Sequence, residues 1–537
     1  MNKLEAYKRA DAPLPSTYRA WWVYGAGLEN VGRDGKPVEK PLRPPREDEV
    51  LVRVDALGLC LSDMKIIAQG SAHPRLRGRD LASDPTVLGH ECACTLVAAG
   101  ARWQDRFLPG QRFIVQADIY YKGVNDAFGY MIPGGLGEFT YLDYRALDGD
   151  EGCYLLPVRP HVGYSQAALS EPWACVEMSY SVEDRVTPRP DGRMLIVAAI
   201  PSAWKARFPG ATVVTPDAPL PEGESWDDII LEHPAPAMLE GCSDRLNPGG
   251  CVFLIGDAAE DGYVSLDVGA VHYQNKRYYG GSSLEDIATK CRRQDLLPGG
   301  ASLFIGAGGP MGQMHVQRAI EKDNTSARVV ATDLDRGRLN HIERRFGALA
   351  RQRGVEFITL CPADFPSPEA YDAKVRELGG SRGYDDVCVL VPVPALVRQA
   401  IDLAGDHALA NLFAGIPTGT RAQVRLSRLC AGVKMVGTSG SRISDLRKIL
   451  SLVEAGALDT NRSVAAIGGL EAAHDGLRAV KEARFPGKTV IYPQISGLPL
   501  MTLEEVATRF PSVGAKMSAE GSWTVEAEAQ LLEELLP

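Results

Sequence analysis

Residues 301–312 read Ala301-Ser302-Leu303-Phe304-Ile305-Gly306-Ala307-Gly308-Gly309-Pro310-Met311-Gly312 and run into the helix-like segment 313–322. An apolar strand that ends in a glycine-rich turn and opens a helix lets backbone N–H groups approach a pyrophosphate at the helix N-terminus. The best register is Ala307-x-Gly309-x-x-Gly312 with Gly308 additional, short of a strict G-x-G-x-x-G, and such turns also occur for packing alone. A second strand, Val329-Val330-Ala331-Thr332-Asp333, ends in an acid about twenty residues on, where a carboxylate holds the adenosine ribose hydroxyls. Gly308, Gly309, Pro310, Met311, Gly312 and Asp333 are therefore candidate cofactor-binding residues. A carboxylate there repels the extra phosphate of NADP, so NAD is the expected cofactor.

The strand-and-turn pattern recurs upstream. Trp226-Asp227-Asp228-Ile229-Ile230-Leu231 and Pro234-Ala235-Pro236 parallel Tyr384-Asp385-Asp386-Val387-Cys388-Val389 and Pro392-Val393-Pro394 at one constant offset. Phe253-Leu254-Ile255-Gly256 and Val264-Ser265-Leu266 parallel Leu412-Phe413-Ala414-Gly415 and Val424-Arg425-Leu426. Residues 191–290 thus look like a second, partial nucleotide-domain copy. Its first strand, Met194–Val197, runs into Pro201-Ser202-Ala203-Trp204 instead of glycines, so the copy is expected to bind no dinucleotide and to be structural.

A third cluster lies earlier: Cys60-Leu61-Ser62-Asp63, Gly89-His90-Glu91 and Glu171-Pro172. A lone Cys is more often a small buried hydrophobe, and a lone Glu-Pro a loop boundary. Together, a thiolate, an imidazole and carboxylates make the ligand set of a catalytic zinc that keeps one position open for an alcohol oxygen.

The conjunction resembles the zinc-dependent medium-chain dehydrogenase/reductase family, in its polyol or sorbitol dehydrogenase branch. Residues 45–58, Ala98-Ala99-Gly100, Pro109-Gly110-Gln111-Arg112 and Gly134-Gly135-Leu136-Gly137-Glu138-Phe139 also resemble that family's catalytic domain, and Lys488–Pro493 its closing strand. The resemblance implies one catalytic zinc on Cys60, His90 and a carboxylate, with Glu91 and Glu171 both kept as metal-site candidates. It makes Ser62 the hydroxyl that passes the alcohol proton outward, and Asp63 the residue that orients the ligand His. It places Arg338 beside the same ribose as Asp333, and nicotinamide near Gly415 and Ile416. Two departures are plain. No cysteine lies between Cys94 and Cys153, where many members bind a structural zinc, and Lys65 stands where many have a histidine that ends the proton relay.

The implied fold is α/β: a barrel-like β-rich catalytic domain and a doubly wound Rossmann domain, with the partial Rossmann-like copy inserted. The expected division is 1–185 catalytic, 186–290 insert, 291–485 NAD-binding, and 486–537 closing strand with a tail of helices at 502–509 and 524–536.

Length and composition agree. The chain has 537 residues, 45% hydrophobic and 23% charged, too long for one core and neither disordered nor membrane-like. A net charge of −10 argues against a nucleic-acid partner. Eleven scattered cysteines without C-x-x-C spacing read as reduced thiols. A cytoplasmic homo-oligomer is expected, with no membrane segment.

For substrate, the closing segment and tail resemble sugar-phosphate and polyol dehydrogenases. Arg75, Arg77 and Arg79 alternate between the first two ligands and could clamp a phosphate, or form a solvated loop. Tyr120, Tyr121, Asn125, Phe128 and Tyr130 could instead meet sugar hydroxyls. Three functions follow in order: hydride transfer between NAD and a secondary alcohol of a polyol, sugar or sugar phosphate; a redox-neutral lyase or epimerase that uses tightly held NAD transiently; and a non-catalytic scaffold, against which the ligand set with Ser62 argues.

Overall fold

The computed structural model describes residues 3–10, 12–323 and 325–537. Two compact units divide the chain: 1–177 together with 440–537, and 178–439.

In the first unit the strand Val50–Gly58 is buried along its whole length, with Arg53 Nε 2.8 Å from Asp55 Oδ1 to neutralise its two internal charges. An eight-stranded, mostly antiparallel sheet builds around it in the order Leu155–Pro157, Arg112–Val115, Glu91–Ala99, Val50–Gly58, Lys488–Tyr492, Val464–Gly469, Met501–Thr502, with Phe139–Leu142 also paired to Val50–Gly58. The tail helices form at Leu503–Arg509 and Val525–Leu535, each capped by the side chain of a preceding threonine, Thr502 or Thr524. Buried Glu528 then accepts the Tyr164 and Ser165 backbone N–H groups and the Tyr492 hydroxyl, which ties the tail to this unit.

Strand pairing divides the chain differently from the sequence expectation, which carried the nucleotide domain through 485. Val464–Gly469 pairs in parallel with Lys488–Tyr492, and that strand pairs with Val50–Gly58, so residues 440–485 join the first unit. Its crossover helix Ala473–Lys481 makes the segment look locally like one more strand–helix repeat, and sequence pattern cannot tell which sheet such a repeat enters.

The second unit holds two parallel sheets. One has the order Glu356–Leu360, Arg328–Thr332, Ala301–Ile305, Tyr384–Val389, Ala404–Leu412, Lys434–Val436, the doubly wound arrangement with its reversal beside the strand of the glycine turn. The other runs Thr212–Val214, Met194–Val197, Trp226–Glu232, Leu246–Ile255, Arg277–Gly281, the same order without the outermost strand. The α/β class and the partial second copy are therefore as expected. The copies even share an anchor. Asp228 is held by Arg185 at 2.7 Å and the Arg189 N–H at 2.6 Å. Its counterpart Asp386 is held by Arg293 and by the Leu297 N–H at 2.8 Å. No helix among the described residues is long and apolar enough to cross a membrane.

Candidate active site

Cys60 sits where the strand Val50–Gly58 gives way to the helix Leu61–Gln69, and Asp63 is the third residue of that helix. An acid in the first helical turn can accept backbone N–H groups, and here Asp63, fully buried, accepts from Cys60 N at 3.3 Å and Gly89 N at 3.4 Å. Its Oδ1 also lies 3.3 Å from His90 Nδ1, an ion-pair distance without hydrogen-bond alignment. One carboxylate thus fixes both ligand-bearing segments and turns the imidazole's other nitrogen toward Cys60.

Donor atoms of Cys60, His90 and Glu91 all lie within 4.8 Å of one another. The Ser62 hydroxyl donates to Cys60 Sγ at 3.1 Å and lies 3.3 Å from His90 Nε2. Burial opposes a charge on His90, but Asp63 outweighs it and holds the imidazole pKa well above the usual range. Glu91 is completely buried; one oxygen pairs with the Lys488 ammonium and the other has no protein partner. Burial likewise works against the Lys488 charge, and Glu91 reverses the balance and raises its pKa. Glu171, in the first turn of Ser170–Met178, stands outside the three-donor cluster. Burial raises its pKa to about 7, with Glu91 adding to the shift and His90 and Lys488 opposing it. A thiolate, an imidazole and a carboxylate with an unpaired buried oxygen fit a zinc ion, whose ligands are of those types.

Tyr130, expected from its loop to meet sugar hydroxyls, lies beside the metal-site candidate His90. It is buried, its ring centroid 5.9 Å from His90, and burial raises its pKa against the opposing charges of His90 and Arg75. Arg75 lies over the Tyr130 ring, 4.4 Å from its centroid, and pairs with Asp118, which also accepts from Asn125 at 2.9 Å. Arg77 pairs with Asp126, and Arg79 with Asp84 and the Tyr130 and Met131 carbonyls. The arginine run is thus a set of ion pairs, with Arg75 stacked on the ring that neighbours His90. Tyr120 and Lys65 are exposed, Tyr121 half-buried, and Phe128 is core.

The glycine turn lies in the second unit. Gly309 caps the helix Pro310–Glu321, with Pro310 and Met311 in its first turn and open space around Gly309. A Cβ on Gly312 would stand 2.5 Å from the Ala307 carbonyl oxygen, so only glycine lets this helix pack so close to the strand end. Asp333 accepts the Gly308 N–H at 2.8 Å and the Asp335 N–H at 3.0 Å. Arg338 Nε lies 3.7 Å from Asp335. Gly415 and Ile416 follow the strand Ala404–Leu412; the Ile416 side chain is core, so its backbone is what it offers a ligand. The first copy has no glycine from Val197 through Phe208, and Trp204 in its short helix Pro201–Arg207 donates to Glu232 at 2.8 Å.

Residues 46–148 match the alcohol dehydrogenase GroES-like domain. L-sorbose 1-phosphate reductase of Klebsiella pneumoniae is 25% identical over 91% of this chain and 92% of its own. Mannitol-1-phosphate 5-dehydrogenase of Aliivibrio fischeri is 24% identical over 90% and 92%. Among solved structures, 2R,3R-butanediol dehydrogenase of Bacillus subtilis superposes with a TM-score of 0.53 at 15% identity, over 89% of this chain and all of that one. These likenesses run through nearly the whole of the matched chains.

Proposed function

From the premise that the chain is an oxidoreductase of the zinc-type medium-chain dehydrogenase/reductase family, we propose that it interconverts a secondary alcohol and a carbonyl on a polyol or sugar phosphate, with zinc and NAD. The observation that carries this is the convergence of Cys60, His90 and Glu91 within 4.8 Å beneath the Ser62 hydroxyl. A zinc ion there would supply Lewis acidity that makes an alcohol proton easier to lose.

This chain's residues do the rest. Asp63 holds the Cys60 and His90 segments in register and keeps the imidazole oriented. Lys488 compensates the Glu91 charge in a place where an unpaired carboxylate would be costly. Ser62 Oγ, 3.3 Å from His90 Nε2, receives the substrate's hydroxyl proton, with the buried Tyr130 ring packed 5.9 Å from the same imidazole. Glu171 stands by as a second carboxylate near His90. Gly308–Gly312 give a pyrophosphate access to backbone N–H groups, while Asp333 and Arg338 meet the adenosine ribose and Gly415 and Ile416 the nicotinamide. The names of the near full-length relatives support a phosphorylated sugar or polyol as substrate.

The test is metal and nucleotide content of the purified protein, followed by an NADH-formation screen over polyols, sugars and their phosphates. One zinc with substrate-dependent NADH is expected. Protein without zinc, or turnover unaffected by Cys60→Ser, would sink the metal site. Retained NAD without NADH release would transfer the case to the redox-neutral alternative, to which the comparisons lend nothing.

A further inference from the structure

The two copies in the second unit face each other in a specific way. The strand Tyr263–Asp267 of the first pairs antiparallel with Arg421–Arg425 of the second. Structural equivalence between the copies is fixed by shared pairings: Asp228 opposes Cys251 as Asp386 opposes Leu409, and Val268 opens a helix as Leu426 does, which moves the sequence match of Val264-Ser265-Leu266 from Val424-Arg425-Leu426 to Ala422-Gln423-Val424. On that equivalence the middle pair of the antiparallel ladder, Ser265 opposite Gln423, joins equivalent residues.

Contacts around this pair occur twice with the partners exchanged. The Val268 N–H donates to the Thr420 carbonyl at 3.1 Å, and the equivalent Leu426 N–H donates to Gly262, the equivalent of Thr420, at 2.9 Å. Arg421 reaches Asp244 at 2.8 Å, and Tyr263, which stands where Arg421 does, reaches Asp402, the equivalent of Asp244, at 3.0 Å. Gly280 packs so tightly on the Leu429 carbonyl that a Cβ would lie 1.9 Å from it, and equivalent Gly437 packs on His272, where a Cβ would lie 2.9 Å from the Cα. Equivalent Arg277 and Lys434 share one buried carboxylate, Asp184, at 2.8 and 3.2 Å. Beneath the ladder, Val264 and Leu266 merge with Ala422 and Val424 into a single apolar core.

Contacts repeated with exchanged partners about a central self-equivalent pair are the signature of an isologous two-fold interface, ordinarily made between two chains. We propose that the incomplete copy is a built-in partner. The self-recognition surface of the complete copy, formed by Arg421–Arg425, the helix Leu426–Cys430 and Gly437, is occupied in cis by residues 262–281. A second chain of this protein therefore cannot use that surface, and any self-association runs through another face. This also gives the copy a reason to keep its last strands and helices while lacking a glycine turn.

Gln423 is exposed and Ser265 half-buried, which suits cross-linking. With Ser265→Cys and Gln423→Cys together, a short thiol cross-linker is expected to join 265 to 423 within one chain, and Gln423→Cys alone should give no 423–423 link on peptide mapping. A 423–423 dimer, a 265–423 link between two chains, or no 265–423 link at all would each overturn the proposal. Because the variants could misfold, the unaltered protein supplies a second measurement. Amide exchange of 263–267 and 421–425 should be equally slow across about a hundredfold dilution, since an internal interface has no concentration dependence. Loss of protection on dilution would show that the partner strand comes from another chain.

Discussion

The two parallel sheets of the second unit share strand order, the Asp228 and Asp386 anchors and a mutual interface, yet differ at one turn. In one copy the strand Ala301–Ile305 opens through Gly306, Gly308 and Gly309 into a helix of twelve residues whose first turn carries Gly312. In the other, Met194–Val197 opens through Ala198-Ala199-Ile200-Pro201 into a helix of seven. At the end of the neighbouring strand, Thr215 stands where the complete copy has Asp333, since Val197 opposes Val214 as Ile305 opposes Thr332. On the proposed assignment of the glycine turn, a nucleotide fold and a nucleotide site are separable: packing keeps the sheet, and a few backbone positions make the site.

Breaking the complete copy's turn should have the largest effect. Gly312→Val drives a side chain into the Ala307 backbone, whose carbonyl oxygen would be 2.5 Å from the new Cβ, and pushes the helix off the strand. NAD affinity measured by calorimetry is expected to fall at least about a hundredfold, roughly 3 kcal/mol. Ala199→Gly in the first copy should leave it unchanged. If the two substitutions weaken NAD equally, both turns serve the cofactor and the comparison fails.

How much of this was legible in the chain follows the range of each interaction. The turn at 306–312 with Asp333 is a local strand-and-turn pattern, and the roles of Cys60, Ser62 and Asp63 were legible through the family resemblance. The partners that complete the site come from far away: Lys488 meets Glu91 across 397 positions, and nothing near Glu91 announces it. Arg75 and Arg77 read as candidate phosphate ligands because Asp118 and Asp126, which neutralise them, lie 43 and 49 positions on. The repeat was visible as an offset, but that its two members face each other about Ser265 and Gln423 needs the strand pairing.

Smaller effects are expected at the end of the second strand. Asp333→Ala removes the acceptor for the ribose hydroxyls and should lower NAD affinity about tenfold while narrowing the preference for NAD over NADP. Thr215→Asp in the first copy places a carboxylate at the equivalent point without a glycine turn beside it, and should create no second nucleotide site by titration. A stoichiometry of two nucleotides per chain for this variant would mean that the acid, and not the turn, is what the first copy lacks.

The smallest effect is an acid sensitivity in the core of the complete copy. His315, on the helix that follows the glycine turn, is completely buried against Phe304 and Phe413, bonded to the Tyr180 hydroxyl at 2.7 Å, and burial lowers its pKa to about 3. The apolar cluster of the first copy is built from residues such as Met194, Ile196, Phe253 and Tyr279, and that copy's buried histidine, His272, sits instead against the complete copy, its Nδ1 3.0 Å from the Leu412 carbonyl oxygen. Because the folded pKa lies below the unfolded one, the unfolded chain takes up the proton first as pH drops below about 6.5, and stability is lost from there down to about pH 3. Between pH 7.5 and 5.5 this group alone should remove about 1.4 kcal/mol from the unfolding free energy of the unit. Urea unfolding of His315→Gln over that interval should lose about 1.4 kcal/mol less than the unaltered protein, whatever the variant's stability at pH 7.5. An identical pH slope in both proteins would mean that His315 gains its proton in the folded state.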